Sequence, residues 1–538
     1  MDEPEQSSGT SGKLKGLKAV SLLTLLSRIT GLARDSLMAS VFGAGMVLDA
    51  FTLAFRVPNM FRRLFGDGAM AAALLPEFVR TDECEGREAA SLLFSGVARK
   101  LFYILLAFIV VTEVAVAFVY VSFEISGRMR LLCELSMILM PYSLLICMAG
   151  AYSAALNGVH HFKYPALAPV VLNVIWLAGG LYSAVRFTTG PDEVRLISMF
   201  ILAGGVAQLS MVVYKARQYQ IRLSAPTPAA TARTAIVFRA MAPVLLGLSV
   251  SQVNGLIDSL LAWGLSSGNL DSFPSLDRFR LPIGTAAALY LGQRMFQFPL
   301  GVFAVALGTV LFPRFARHAQ TNDLAELNKD LLHGLQLVLV VGIPASVGLW
   351  FMAAPITDLL FRYGQFDAQA AIMTRNMIAG HGLGVWAFSG LLIVNRVFYA
   401  SNDQTTPMRQ GLMCVGLNIL FDFVLLPILG GPALPVANVL ATMFQLGLAL
   451  EVLRSRFLIL GREAFVPILW RIGVCTLAMN FAGLGTLYLT SLVEPAFDPI
   501  VYRLIKVSLP VMAAVVVYAA TLTATGVSLK KLLNEPFF

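Results

Sequence analysis

The chain has 538 residues, of which 57% are hydrophobic and only 13% charged, and its mean hydropathy is +0.75. A soluble domain carries about twice that fraction of charge, so the composition excludes a soluble globular protein. In so apolar a chain, the net charge of +9 indicates anchoring on the cytoplasmic side and an anionic substrate rather than nucleic-acid binding. The five cysteines are scattered, without the spacing of a metal site or a disulfide framework.

Apolar stretches of about 20 residues recur from end to end of the chain, and this is the length that crosses a bilayer as a helix. They predict an all-α integral membrane protein with about 14 transmembrane helices. The predicted helices lie near 19–44, 46–66, 92–122, 132–157, 165–186, 195–215, 235–264, 284–312, 331–354, 369–399, 407–430, 432–453, 466–492 and 501–526.

Basic residues in the short connections predict the orientation, because lysine and arginine are retained on the cytoplasmic side. They precede helix 1 and follow helices 6, 8 and 12, whereas the connection after helix 11 carries no charge. We therefore expect a multi-pass inner-membrane protein with both termini in the cytoplasm. The orienting cations are Lys13, Lys15, Lys18, Lys215, Arg217, Arg222, Arg233, Arg314, Arg317, Arg454, Arg456, Arg462, Lys530 and Lys531.

Two sequence patterns recur in the same order in the two halves of the chain. SRITGL at 27–32 returns as SQVNGL at 251–256, and LLPEFVR at 74–80 returns as LFPRFAR at 311–317. The offsets of about 224 and about 237 positions contain about six helices, and an even number of crossings makes the repeat parallel. Two such lobes are the usual ground plan for alternating access. The predicted segments are a cytoplasmic tail at 1–17, an N-lobe at 18–222, a C-lobe at 223–457, and an unrepeated helix pair with a cytoplasmic tail at 458–538.

Charged side chains interrupt the first two predicted helices. A charge at bilayer depth costs a few kcal/mol or more, so it normally faces a polar cavity or a partner. The spacing of Arg28 and Asp35 places them on one helix face, about two turns apart. Asp49, Arg56 and Arg63 repeat this interval along helix 2, where a proline is expected to kink the helix. The other cations in these two helices are Arg34 and Arg62.

These arginines predict a membrane cavity that receives an anion, because the guanidinium fork pairs with phosphate oxygens and stays charged at physiological pH. In the second lobe, Arg294 is the single cation within predicted helix 8. The alternative is that the charges form structural ion pairs, for instance Arg34 with Asp49, and that Arg62 and Arg63 are cytoplasmic-end anchors.

Two intramembrane acids in the second lobe, Asp258 and Asp422, have no neighbouring cation in sequence. Asn418 lies one turn before Asp422 on the same face, and Thr442 in helix 12 is a fourth, weaker candidate. Oxygen ligands from several helices can hold a hard cation. The alternative is hydrogen bonding between helices 7 and 11 through a protonated acid. Glu113 and Asn173 are expected to join helices by hydrogen bonds rather than to bind a ligand.

Several longer phrases resemble the MurJ/MviN lipid II flippase family of the MOP transporter superfamily. In the first lobe they are SRITGLARD at 27–35, FGAG at 42–45, DAF at 49–51 and PNMFRRLF at 58–65. In the second lobe they are ALGTVLFP at 306–313, LFRYGQF at 360–366, and FY at 398–399 followed by Asp403, Thr406 and Pro407. The match runs from helix 1 to about helix 12, and the last two helices are similar mainly in hydropathy.

The resemblance implies a carrier that moves lipid II, the undecaprenyl-pyrophosphate-linked disaccharide pentapeptide, from the cytoplasmic to the outer leaflet. It further implies a monomer that contacts membrane lipids, with a groove for the polyprenyl tail at the C-terminal helix pair. By motif match, the pyrophosphate ligands would be Arg28, Arg34, Arg62 and Arg294. The gating and charge partners would be Asp35, Asp49, Arg56 and Arg63. The residues placed like a sodium site of some relatives are Asp258, Asn418, Asp422 and Thr442.

One departure concerns Gln293 and Gln297, which stand where some relatives carry acids, so a charge exchange through those acids is not expected here. The alternatives within transport are an exporter of another polyprenyl-linked oligosaccharide and a MATE-like ion antiporter, for which a more acidic cavity would be expected. A membrane enzyme acting on polyprenyl pyrophosphate would need an acid cluster or a positioned histidine, and the polar loops contain neither. We therefore expect a transporter, driven by membrane potential or an ion gradient because no Walker motif is present.

Overall fold

The computed structural model describes residues 8–186, 190–225, 227–267, 274–456, 465–492 and 498–527. Within these ranges the elements are helices, which confirms the predicted all-α class. The chain divides into two compact units, Met1–Gln252 and Val253–Phe538. This division falls inside the ninth α-helix, and the lobe boundaries drawn from the sequence stay a prediction.

The first unit contains eight complete α-helices and the start of a ninth. They are α1 (Ser8–Phe42), α2 (Met46–Phe61), α3 (Met70–Glu85), α4 (Arg87–Ser122), α5 (Gly127–Leu139), α6 (Tyr142–Gly158), α7 (Lys163–Arg186), α8 (Pro191–Gln218) and α9 (Pro228–Gly264). The second unit continues with α10 (Thr285–Pro299), α11 (Val305–Gln320), α12 (Leu324–Phe351), α13 (Ala353–Leu360), α14 (Ala368–Gly382), α15 (Val385–Ala400), α16 (Thr405–Leu429), α17 (Ala433–Arg456), α18 (Val466–Ser491) and α19 (Pro499–Ala524).

Eleven helical segments of the described chain are long and apolar enough to cross a membrane. A twelfth is obtained if α14 and α15, which are bent by 44° relative to each other, form one broken span. The two helices that carry the intramembrane arginines, α1 and α2, are not among them. The count of fourteen spans therefore stays a prediction.

Each unit contains one long helix that widens into a π-helical segment. The segment Arg62–Ala69 joins α2 to α3, and the segment Leu300–Ala304 joins α10 to α11. Pro58 and Pro299 precede these segments and each removes a backbone donor, which favours a local departure from α-helical bonding. The kink expected at Pro58 therefore takes the form of a widened turn. Regular α-helical register ends at Phe61, so the predicted stripe of charges along helix 2 does not continue regularly beyond it.

The recurring sequence patterns occupy matching places in the two units. The patterns at 74–80 and 311–317 lie in α3 and α11, in each case soon after the π-helical segment. Their offset exceeds that of the earlier patterns because 20 residues, 265–284, separate α9 from α10, against three between α1 and α2. In this longer connection, Pro274–Phe279 form a 3₁₀-helix, and residues 268–273 lie outside the described ranges.

The C-terminal helices α18 and α19 pack on α12. Ile468, Ile472 and Cys475 of α18 form a buried cluster with Leu337 and Val340 of α12. The Tyr518 hydroxyl of α19 donates a hydrogen bond to the Val340 carbonyl at 2.6 Å. The outer faces of both helices are apolar and exposed, as expected for surfaces that contact lipid.

Candidate functional site

Arg34 and Asp35 form a buried ion pair on α1. Each is 4% exposed, and Arg34 donates from Nε and Nη2 to Asp35 Oδ1 at 3.0 and 2.7 Å. Consecutive helical residues do not face each other, so the long arginine side chain turns back to reach its neighbour. Arg34 is therefore held by Asp35, and the alternative pairing of Arg34 with Asp49 is wrong.

Helix α7 completes the surroundings of Arg34. Arg34 Nη1 donates to Asn173 Oδ1 at 3.0 Å, and Asn173 Nδ2 donates to the Ser27 carbonyl at 3.1 Å and to Thr30 Oγ1 at 3.2 Å. The guanidinium carbon lies 4.0 Å from the centroid of the Trp176 ring, a cation–π distance. Asn173 thus joins two helices by hydrogen bonds, as predicted, and it also holds the arginine.

Aromatic rings of α2 support this arrangement from the other side. Phe51 and Phe55 pack edge-on against Trp176 with centroid distances of 5.6 and 5.1 Å. All three rings are buried. The cationic side chain therefore sits against a packed aromatic wall, which limits the rotamers it can adopt.

A second buried ion pair joins α2 to α5. Asp49 is fully buried in the first turn of α2, and its Oδ2 lies 3.6 Å from Nη2 of Arg128 near the start of α5. Sequence reasoning missed Arg128, because it precedes the predicted fourth helix. The signal that could have found it is Asp49 itself, since a buried acid requires a cation or a donor close by.

The remaining predicted arginines of the first unit are more accessible. Arg28 is exposed on α1 and makes no hydrogen bond or ion pair with any described residue. Arg56, Arg62 and Arg63 are partly buried, and Arg62 Nε donates to Asn59 Oδ1 at 3.1 Å. Arg62 and Arg63 open the π-helical segment, where the wider turn alters the direction of their side chains relative to a regular helix.

Arg294 lies on α10 of the second unit and is partly buried. Its Nη2 donates to the hydroxyl of Tyr290, one turn earlier, at 3.2 Å, and its guanidinium lies 5.4 Å from the same ring. Gln293 and Gln297 flank it on α10 and are also partly buried. The hydrogen bond and the ring contact that Arg294 makes one turn earlier on its own helix are therefore with a neutral side chain.

Three of the predicted cation ligands meet in the second unit. Asn418 and Asp422 of α16 are fully buried, and Asn418 Nδ2 donates to Asp258 Oδ1 at 2.6 Å and to Asp422 Oδ2 at 3.2 Å. Asn438 of α17, which sequence reasoning missed, donates to Asp258 Oδ2 at 3.1 Å. The hydroxyl of Thr442 instead donates to the Asn438 carbonyl at 2.8 Å. The side chain that α17 contributes to this group is therefore Asn438, one turn before the predicted Thr442.

The chemistry of this group fits a hard cation. Oδ1 of Asn418 and Oδ1 of Asp422 are buried and have no hydrogen-bond partner among the described residues. The carboxylates of Asp258 and Asp422 and the amide of Asn418 offer oxygen ligands, the type that sodium and similar hard cations prefer. The alternative hydrogen bonding between helices 7 and 11 is present in the same group, because Asn418 bridges α9 and α16.

The chain is similar in sequence to known proteins over most of its length. A family model described as Lipid II flippase MurJ matches residues 38–508. A protein of Rhizobium tropici described as a probable lipid II flippase MurJ is 31% identical over 425 residues, 78% of this chain and 76% of that protein. The lipid II flippase MurJ of Burkholderia cenocepacia is 29% identical over 434 residues, 79% of this chain and 80% of that protein.

Solved structures establish the fold. A lipid II flippase MurJ in an inward closed conformation superposes with a TM-score of 0.73 at 21% identity, covering 94% of this chain and 99% of that one. An inward-facing MATE family multidrug resistance transporter of the MOP superfamily gives a TM-score of 0.66 at 13% identity, covering 82% and 97%. The chain therefore shares the fold of these two solved structures.

Substituting Asn173 tests its role as the residue that holds Arg34 and α1. Asn173→Ala removes all three hydrogen bonds, and we expect the protein to lose about 1–3 kcal/mol of stability. The measurement is thermal unfolding of the purified protein in one detergent. Asn480→Ala on α18 is the matched control, because the side-chain oxygen of Asn480 has no partner in the described chain. An equal loss in both alanine variants would contradict the role.

A double-mutant cycle tests the pair formed by Asp49 and Arg128. Asp49→Asn or Arg128→Gln alone removes one partner of this buried ion pair, and breaking such a pair typically costs about 3–5 kcal/mol. The double variant should cost clearly less than the sum of the two. Thermal unfolding and the abundance of each variant in membranes measure the effect. Strict additivity would mean that the two charges, 3.6 Å apart, do not stabilise each other.

Proposed function

The chain belongs to the Lipid II flippase MurJ family, and we propose that it moves lipid II across the inner membrane from the cytoplasmic to the outer leaflet. The observation that carries this proposal is the family match over residues 38–508, which includes Arg62, Arg294 and the acid–amide group of the second unit. The chain is a multi-pass membrane protein of a flippase family. Our proposal includes fourteen spans, a monomer and cytoplasmic termini.

The proposed pyrophosphate ligands are Arg28, Arg34, Arg62 and Arg294. Arg28 is exposed and has no described partner, so it is the cation available for the first contact with an incoming phosphate. Three donors of Arg34 are already engaged by Asp35 and Asn173. Arg34 can turn to the substrate only when pyrophosphate oxygens replace the carboxylate of Asp35, because an unpaired buried arginine is costly.

This exchange links substrate binding to conformational change. Releasing Arg34 breaks the ion pair that it forms with Asp35 in the described structure, so the charges around Asp35 rearrange when the substrate binds. Asp49, Arg56 and Arg63 are the proposed neighbours in this charge exchange. Alternating access follows if the pairing of Arg34 with Asp35 is stable in one state of the carrier and its pairing with pyrophosphate is stable in the other. The cationic headgroup site also makes the carrier responsive to membrane potential.

We further propose that the acid–amide group holds a sodium ion. Asp258, Asn418 and Asp422 supply side-chain oxygens, two of which are buried without a hydrogen-bond partner in the described chain. Asn438 orients Asp258, and Thr442 acts through its bond to the backbone of α17. A bound sodium ion would offset one of the two negative charges, and it would couple transport to the sodium gradient as a source of energy.

Complementation of bacteria depleted of their own lipid II flippase tests the transport proposal. The intact chain should restore growth and the amount of lipid II accessible at the outer leaflet. Arg34→Ala and Arg294→Ala should each lower that amount about tenfold or more, because a charge-assisted contact to phosphate is lost. Arg317→Ala, an exposed arginine outside the proposed site, is the matched control.

Equal rescue by the alanine variants, at equal abundance in the membrane, would remove those residues from the site. Failure of the intact chain despite good expression would favour another polyprenyl-linked oligosaccharide as cargo. Such a substrate carries the same pyrophosphate, so the same arginines could bind it.

Thermal unfolding in sodium chloride and in potassium chloride at equal ionic strength tests the cation site. The intact protein should unfold at a higher temperature in sodium, because a ligand that binds the native state stabilises it. Asp422→Asn should abolish the difference. Asp330→Asn is the matched control, since Asp330 is a buried acid of α12 that pairs with Arg314 and should leave the sodium effect intact. A sodium effect that persists in Asp422→Asn would leave this group a purely structural role.

A further inference from the structure

A cavity of about 380 Å³ opens at one end of the first unit, away from the groups described above. It is bounded by α6, the last turn of α8 and the connection that follows α8. The side chains that line it are Tyr152, Arg217, Ile221, Arg222 and Leu223. Two guanidinium groups and a phenol are thus collected around one space, and the function proposed above uses none of them.

The two cavity arginines carry positive charge that the described chain does not neutralise. The side chains of Arg217 and Arg222 make no hydrogen bond or ion pair with the part of the first unit that the structure describes. Other arginines at the same end of this unit are paired. Arg87 Nε lies 2.6 Å from Asp82 Oδ1, and Arg233 Nη1 lies 2.7 Å from Glu85 Oε2. The cavity is therefore a place where an anion would find two available cations.

The backbone that presents these cations is held in place by two serines of α4. Ser91 Oγ donates to the Arg222 carbonyl at 3.1 Å and accepts from the Arg222 amide at 3.0 Å. Ser95, one turn later, makes the same pair of bonds with Ser224, both at 2.8 Å. Both serines are buried. Because Arg222 and Ser224 are already held by α4, a ligand that binds there does not carry the entropic cost of ordering them.

Tyr152 adds a neutral donor to the two cations. Its ring is buried and packs against Phe94 with a centroid distance of 4.7 Å. The position of the ring is therefore set by the core, and the residue borders the cavity. Two guanidinium forks and a hydroxyl are the donor types that proteins use for phosphate oxygens.

The depth of the cavity favours a lipid as the source of the phosphate. Arg217 lies in the last turn of α8, a 28-residue segment that can cross a membrane. A helix of that length is about 42 Å long, close to the thickness of a bilayer with its headgroups. Tyr214 and Leu223, on either side of the arginines, are 62% and 59% exposed. An exposed aromatic ring beside basic residues is typical of the membrane–water interface.

We propose that this cavity binds the phosphate of an anionic phospholipid. Arg217 and Arg222 pair with the phosphodiester oxygens, Tyr152 donates a hydrogen bond to one of them, and Tyr214 and Leu223 contact the glycerol and upper acyl region. The bound lipid holds the connection between α8 and α9 at the membrane surface. The site is separate from the transported substrate, and its test does not depend on transport.

Native mass spectrometry of the purified full chain measures this binding directly. The protein is offered phosphatidylglycerol or phosphatidylcholine with the same acyl chains. We expect selective retention of phosphatidylglycerol, and a loss of roughly tenfold or more in Arg217→Gln/Arg222→Gln, as two arginine contacts are removed. Arg317→Gln/Arg454→Gln removes two exposed arginines of the second unit and is the matched control, which should keep the selectivity. Tyr152→Phe should weaken retention to a smaller degree.

Three outcomes would overturn the proposal. They are unchanged retention in the cavity variant at an unchanged unfolding temperature, an equal loss in the control variant, and equal retention of the zwitterionic lipid by the intact protein. A competition arm identifies the source of the phosphate. If millimolar inorganic phosphate or glycerol 3-phosphate displaces the lipid, the acyl chains contribute little to binding, and the lipid assignment is wrong.

Discussion

The requirement to neutralise charge among apolar helices shapes the first unit. A buried arginine or aspartate is tolerated only when an opposite charge or several donors lie close to it. Arg34 meets this requirement through Asp35 and Asn173, and Asp49 meets it through Arg128. The same contacts connect α1 to α7 and α2 to α5. Charge neutralisation and helix packing are therefore achieved by the same few side chains.

The two units repeat a backbone plan but differ in the chemistry that they bury. Both contain a helix that widens into a π-helical segment after a proline. The first unit buries arginines with carboxylates, an arrangement from which an anion can displace the acid. The second unit buries two carboxylates with amides and leaves Asn418 Oδ1 and Asp422 Oδ1 unbonded within the described chain. The first arrangement has the chemistry of an anion site, and the second has that of a cation site.

Sequence reasoning succeeded where the decisive relation is local. The all-α class follows from apolar length, and the meeting of Asn418 with Asp422 follows from a spacing of one helical turn. Partner choice between helices was not predictable, because it depends on rotation and depth that hydropathy does not determine. Asn438 was missed for this reason, whereas Arg128 was missed because it precedes the predicted fourth helix. The prediction for Glu113 was wrong, because its buried Oε1 has no hydrogen-bond partner among the described residues. Pro58 indicated a kink, but not the π-helical turn that follows it.

One amide couples the movement of two helices. The side chain of Asn173 makes hydrogen bonds to Ser27, Thr30 and Arg34 of α1, which span about two turns. A rotation of α1 about its own axis would strain all three hydrogen bonds to Asn173 at once. A joint displacement of α1 and α7 would preserve them. Over this stretch α1 and α7 should therefore move together as one rigid unit. The bonds to Ser27 and Thr30 do not involve Arg34, so α1 and α7 can stay joined while Arg34 exchanges its partner.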